Sequence, residues 1–573
     1  MNKKTITGVL ASALAISLVP ASFSNAEDGK QDQSGKAPSK NLIVLIGDGM
    51  GPAQVSAGRI YSKTFLGKEH LNLDSYYVGQ ATTYADRGED GGVIVSGVVT
   101  DSASAGTAFA TGHKTYNAGI SVSNEDVSKP FASVIEASEK AGKATGLVTT
   151  ARITHATPAV FASHVRSRDN ENAIASQYLD SGVDVLFGGG SDFFLSKEEK
   201  GKRTDKSIIG DFEAKGYKVV KDSSALNALT AKNDKVLGLF GKSHVAYVPD
   251  RTADIPNLAA MTEKAINILS ANEKGFTMMI EGGRIDHAGH ANDFPTTVQE
   301  MLDFDAAVKV AMDFAKKDGN TSVVVTADHE TGGLSLSRDN IYEMNMDLWN
   351  KQKKSSEVLG PLLKNAKTIE DVKKIVADNT WITDLTDEEA AFIMKGDGSS
   401  YAQEGGFNAV VSKRLLIGWS GHGHSGVDVG VWAYGPIADM VKGQVDNTDI
   451  AKSGAKVIGV DLEAATADMQ ASHLYPKFKV TREGTVLYPA RALATALGAT
   501  TAWNEATGTV TLAKGDKKLD VQLAAKTVQL NGQAIDAKAD IDNDKLYLPL
   551  DAFNKLTGAA MKWDAISERI ILK

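Results

Sequence analysis

Short apolar runs that end on an acidic residue constrain this chain most. Leu42–Ile46 leads into Asp48 in Asn41-Leu-Ile-Val-Leu-Ile-Gly-Asp-Gly-Met-Gly51. Met279-Ile280 leads into Glu281, with Asp286 and His290 close behind, and Ser322-Val-Val-Val-Thr-Ala327 leads into Asp328-His329. A β-branched or apolar run of this length bounded by Gly reads as a buried strand. An α/β sheet places the polar groups that follow its strands along its carboxyl edge. Asp48, Glu281, Asp286, His290, Asp328, His329 and, further on, His422 and His424 therefore read as one shared metal site. Thr100-Asp-Ser-Ala-Ser-Ala-Gly-Thr107 lies among them and offers a serine nucleophile.

From Asn41 to about Pro436 such runs alternate with helical stretches. The predicted strands include 42–46, 146–149, 183–187, 277–280, 323–326 and 429–433, and the predicted helices 130–141, 257–270 and 296–316. The pattern predicts an α/β fold, a mostly parallel central sheet flanked by helices on both faces. Residues from about 341 to 412 break the alternation and are charged and helix-prone. Two readings stand: an insertion near the mouth of the site, or a solvated helical excursion with no part in the chemistry.

The 573 residues suffice for a large domain and a smaller one, and 42% hydrophobic with 23% charged residues reads as globular. A net charge of −9 with no basic patch argues against a nucleic-acid partner. Residues 1–26 read as a secretory signal: Lys3 and Lys4, the apolar stretch Ile6 to Val19, then Ser24-Asn25-Ala26. The alternative is a membrane anchor. Residues 27–40 read as a flexible leader, and the mature protein is expected to be secreted, extracellular or held at the cell surface. Cysteine is absent, so Asp, Glu, His and hydroxyl groups must hold any metal. That donor set suits zinc and magnesium.

The tail, 475–573, is a different unit containing an internal repeat. Gly484-Thr-Val-Leu-Tyr-Pro-Ala-Arg-Ala-Leu493 matches Asp544-Lys-Leu-Tyr-Leu-Pro-Leu-Asp-Ala-Phe553, and Trp503 and Trp563 close the two copies. Each copy reads as strand, Pro-started helix, Gly, strand with Trp, turn, strand, which predicts a small duplicated α+β domain with its tryptophans in the core. The tail resembles the copper amine oxidase-like N-terminal (stalk) domain. It has no His–His pair, so the resemblance implies no copper site, but a spacing, cell-surface or interaction role.

The remainder reads as one catalytic domain, 41–474 with the insertion inside it, and most of residues 41–436 resembles the alkaline phosphatases. Six blocks carry the likeness: Gly47-Asp-Gly-Met-Gly51, Asp101-Ser-Ala103, Thr157-Pro with His164-Val-Arg-Ser-Arg168, Glu281 through His290, Asp328-His329, and His424-Ser-Gly with Tyr434-Gly-Pro436. The resemblance implies two Zn2+ and one Mg2+. Asp286, His290 and His424 would bind the first zinc, Asp48, Asp328 and His329 the second, and Asp48, Glu281 and Thr157 the third ion. It implies Ser102 as nucleophile, with Ser104 the rival. Arg168 would clamp the phosphate, with Arg166 its neighbour and Asp101 accepting from it. The register of His424-Ser-Gly favours His424 over His422.

The implied reaction releases inorganic phosphate from varied phosphate monoesters through a phosphoserine intermediate, with an alkaline optimum. A homodimer is implied as well. His155 and His287 stand where one bacterial form of the family has Asp and Lys. Both would sit near the third ion or the phosphate, and imidazole there shifts the third ion toward another divalent metal. The rivals are a phosphodiesterase or sulfatase of the same superfamily, and a non-enzymatic surface protein. A sulfatase needs a Cys/Ser-x-Pro-x-Arg motif that Asp101-Ser-Ala103 lacks.

Overall fold

The computed structural model describes residues 38–86 and 98–572. The predicted signal and most of the leader lie outside them. The central sheet has ten strands: β1 (Asn41–Gly47), β2 (Tyr77–Ala81), β3 (Ala144–Arg152), β4 (Val185–Gly189), β5 (Lys218–Val220), β6 (Val236–Leu239), β7 (Phe276–Gly282), β8 (Thr321–Ala327), β9 (Val429–Tyr434) and β10 (Gly443–Val445). Their order is β10-β2-β9-β8-β1-β7-β3-β4-β6-β5. Every neighbouring pair is parallel except the two made by β9, with β2 and β8. All of β1, β7 and β8 is buried, as expected of strands covered on both faces.

Each predicted strand and helix of this region is present. The helix expected from Pro130 begins only at Val134, because Ser133 and Glu136 form a reciprocal capping box there. Pro130 instead bridges to Val122 in extended backbone.

The insertion folds into four helices among the described residues: Ser356–Asn365, Ile369–Asn379, Asp387–Lys395 and Gln403–Leu415. Their apolar faces close a core around Trp349, Leu359, Val372, Ile393 and Phe407 that continues into Phe294 and Val298 of the main body. The buried guanidinium of Arg284 stacks on Tyr247, 3.6 Å from the ring centroid. It also pairs with Glu357 of the first insertion helix at 2.7 Å.

In the tail, the central strands of the two repeats pair antiparallel, Tyr488 opposite Leu548, and the Pro-started helices Ala490–Ala496 and Leu550–Thr557 follow them. The tail is joined to the main body by a four-stranded sheet. In it His473–Pro476 pairs with Arg569–Ile571 on one side and Val127–Ser128 on the other. Val127 and Leu474 are buried in the tail's own core. Trp563 packs partly against that core, 5.5 Å from Tyr488 between ring centroids. Trp503 departs from expectation and is 51% exposed, because its strand Thr500–Asn504 is the edge of a five-stranded sheet.

Candidate metal centre

Four adjacent parallel strands, in the order β8-β1-β7-β3, end on one side of the molecule. Asp48 follows β1, Asp328 and His329 follow β8, and Glu281 is the penultimate residue of β7. The helix Arg284–His290 comes next and carries Asp286 and His290 one turn apart. Thr157 lies in the short helix Ala156–Ala159 after β3. Gly49 lets these turns meet: its φ is +69°, and a Cβ on it would lie 2.8 Å from the Asp286 Cα. Its N–H donates to Asp328 Oδ1 at 3.0 Å.

The ligand-type groups form overlapping clusters, namely Asp286, His329 and His424; Asp48, Asp328 and His329; and Asp48, His155 and Glu281. His290 joins the first, its Nε2 3.2 Å from Asp286 Oδ1 and 3.0 Å from His424 Nε2. His424 Nδ1 donates to the Thr100 carbonyl at 2.8 Å, and His290 Nδ1 donates to the His422 carbonyl. With both Nδ1 protons used, the two Nε2 atoms converge on Asp286 Oδ1. Burial would lower His290, but Asp286 raises it to about 9, so a cation bound here would take the place of that proton. Thr157 Oγ1 reaches Asp48 Oδ2 at 3.5 Å. His422 lies behind this group, with its Nε2 3.2 Å from Asp397.

The carboxylates fit divalent ions. Asp48 Oδ1, Glu281 Oε1 and Asp328 Oδ2 are buried without a hydrogen-bond partner, a costly state unless a cation compensates. Burial, with the charges of Asp328, Asp286 and Glu281 adding, pushes the Asp48 carboxyl well up. Burial likewise raises Glu281 to about 7 and Asp328 to about 6. Four acidic groups and imidazoles with no sulfur make a set of hard oxygen and nitrogen donors suited to zinc and magnesium.

Ser102 opens the helix Ser102–Thr111, and Asp101 is its N-cap. Ser102 Oγ lies 3.2 Å from His329 Nε2. Ser104 is taken up elsewhere, donating to Asn117 at 2.8 Å and to Asp101 at 3.0 Å. Arg168 donates to Asp101 Oδ2 at 3.1 Å and sits 3.1 Å from His155 Nε2, whereas Arg166 turns to the Tyr116 hydroxyl. Burial alone would raise the Asp101 carboxyl, but Arg168 and Ser104 hold it below its ordinary value.

His155 and His287 have ring centroids 5.3 Å apart, and His244 stands 4.2 Å from His287. Burial and the neighbouring cations keep all three neutral, with His287 lowered to about 3. Sequence reasoning missed His244. It is braced by Arg152, whose guanidinium lies 2.6 Å from its Nε2 and pairs with Glu171 at 2.8 Å. Gly241-Lys-Ser-His244 belongs to no motif, so only proximity reveals it.

An α/β sheet whose carboxyl edge joins a metal-ligand cluster, a buried serine and a clamped arginine defines a metal-dependent phosphoryl-transfer hydrolase. The alkaline phosphatase family model matches residues 39–460, and the copper amine oxidase N-terminal domain model matches 474–572. Alkaline phosphatase 3 of Bacillus subtilis is 41% identical over 80% of this chain and 96% of its own length. The alkaline phosphatase of Thermus thermophilus superposes with a TM-score of 0.67 at 29% identity, over 79% of this chain and 99% of its own. A histidine-to-aspartate variant of the alkaline phosphatase from the Antarctic bacterium TAB5 does so with a TM-score of 0.54 at 29% identity, over 74% and 99%. The chain belongs to the alkaline phosphatase family.

Proposed function

We propose that this enzyme is exported and hydrolyses varied phosphate monoesters through a phosphoserine intermediate, with an alkaline optimum, using two zinc ions and a third divalent ion. The observation that carries the reading is the meeting of three partnerless carboxylate oxygens with the Ser102 hydroxyl and the Arg168 guanidinium at one sheet edge. Asp286, His290 and His424 would hold one zinc, and Asp48, Asp328 and His329 the other. Asp48, Glu281 and Thr157, with His155 beside them, would hold the third ion.

Bound cations supply the positive charge that draws in a dianionic phosphate and stabilises the attacking and departing oxygens. The Arg168 fork binds two phosphoryl oxygens, its plane fixed by Asp101. Ser102 Oγ gives up its proton to solvent water and bonds to phosphorus as the ester P–O bond breaks. The departing oxygen takes a proton back from solvent water and leaves as the alcohol. Water then splits the Ser102 O–P bond, which releases inorganic phosphate and restores the hydroxyl. His155 and His287 would face the phosphate or the third ion as neutral imidazoles. The TAB5 variant has magnesium bound in its M3 site with aspartate in place of a histidine. That supports magnesium at an acidic third site and leaves another divalent metal open where His155 stands.

The tail has no histidine or cysteine, so no copper site is assigned to it, and its role is read as accessory. The test is an acid quench during turnover followed by peptide mass spectrometry. Phosphate on Ser102 is the expected result, and a quench that traps no phosphopeptide while turnover proceeds would overturn the intermediate.

A further inference from the structure

Among the contacts that the helical insertion makes near the metal-ligand cluster, one carboxylate stands out. Asp397 lies between the insertion helices Asp387–Lys395 and Gln403–Leu415. Its Oδ1 accepts from the N–H and the hydroxyl of Ser399, at 2.9 and 2.7 Å. Its Oδ2 lies 3.2 Å from His422 Nε2. The other nitrogen of His422, Nδ1, donates to the backbone carbonyl of His290 at 2.7 Å. His290 returns the bond, its Nδ1 donating to the His422 carbonyl. This reciprocal clasp orients the His290 ring, so that its Nε2 faces Asp286 and His424.

The surroundings are built for the contact. Tyr401 stacks on the His422 ring at 5.2 Å with 22° between planes. Gly405 leaves room for the carboxylate, since a Cβ there would lie 2.2 Å from Asp397 Oδ2. Gly396 and Gly398 turn the chain into this position with φ of +82° and +88°, a region open to glycine.

We propose that Asp397 is a positioning residue for the first zinc, acting through His422 on the orientation of His290, and that this is the insertion's role in the chemistry. The inference rests on the zinc reading of the Asp286, His290 and His424 cluster. Partners that orient a metal-bound imidazole typically change metal affinity or activity by about 10–100-fold when removed.

The test uses the full-length zinc-loaded protein. Zinc retention is read by competition with a chromogenic chelator, and ligand geometry by the visible spectrum after cobalt replaces zinc. Asp397→Asn is expected to release one zinc about 10–100-fold more readily, to shift the cobalt bands of that ion and to leave the other ion's retention unchanged. Gly405→Ala crowds the same carboxylate and is expected to move both readouts in the same direction. It carries the test if Asp397→Asn does not fold. Folded variants that both match the wild type in zinc retention and cobalt spectrum overturn the relay alone. A wild-type chain that retains no zinc overturns the metal reading beneath it.

Discussion

Ser102 and Ser104 stand two residues apart in one buried helical turn, yet their surroundings separate them. The Ser104 hydroxyl is held by Asn117 and Asp101, while Ser102 faces His329 across 3.2 Å. Ser102→Ala is therefore expected to lower kcat by at least about 10³-fold with the fold intact, as loss of a covalent nucleophile does. Ser104→Ala is expected to keep turnover and to lose about 1–3 kcal/mol of stability, because buried partners are left unpaired. Thermal melts beside steady-state rates separate the two effects, and equal loss of turnover in both variants would contradict the assignment. Arg168→Lys keeps the charge but loses the planar fork. A loss of about 1.5–3 kcal/mol in kcat/KM is expected, the range for a hydrogen bond to a charged group, with weaker inhibition by inorganic phosphate.

At the scale of the elements, the ends of β1, β7 and β8 crowd carboxyl groups whose affinity for protons is raised. Glu281 stands at about 7 and Asp328 at about 6, against about 4 for each in an unfolded chain. Between these values the folded, metal-free protein holds protons that the unfolded chain has released. Their contribution to stability is complete below pH ~4 and is lost as pH rises through about 6 to 7. The melting temperature of the chelated protein, from these groups, is expected to fall between about pH 5 and about pH 8, and the stabilisation by added zinc to grow over the same interval. A chelated protein that becomes steadily more stable over that interval would contradict this account.

Much of this edge was legible in the sequence. Asp48, Glu281, Asp328 and His329 each follow or end an unbroken apolar run, and that pattern fixes where a side chain sits relative to a sheet. The direction of β9 was not legible, because the side-chain period is the same for parallel and antiparallel strands. Nor were His244 and Asp397, which reach the site from a loop and from the insertion. Only tertiary folding brings them near, and no local pattern marks them.

At the scale of the whole molecule, the tail is stitched to the main body rather than strung from it. The strand His473–Pro476 pairs on both sides, and Val127 of the main body is buried in the tail's core. Removing residues 477–573 is expected to leave turnover per active site unchanged, since none of the groups proposed to hold metal or face phosphate comes from there. It is expected to lower the melting temperature, because Val127 and Leu474 become exposed. Each is worth about 1.5–3 kcal/mol when fully buried. The repeat was visible in the paired Pro489 and Pro549, but its sharing of a sheet with Val127–Ser128 depends on a contact some 350 residues distant in the chain. The insertion was visible as a break in alternation. That its helices share a core with Phe294 and Val298, and bring Asp397 to His422, was not.

This sheet edge is proposed to hydrolyse phosphate monoesters only with its divalent ions in place. The most direct measurement is the rate of hydrolysis of a chromogenic phosphate monoester by the purified chain, before chelation, after it, and after zinc and magnesium are returned. Activity that disappears with the chelator and returns with zinc, with magnesium or cobalt tuning the third site, is the predicted result. A folded protein that hydrolyses no monoester with any divalent metal, or that hydrolyses it equally well after complete chelation, would contradict the account.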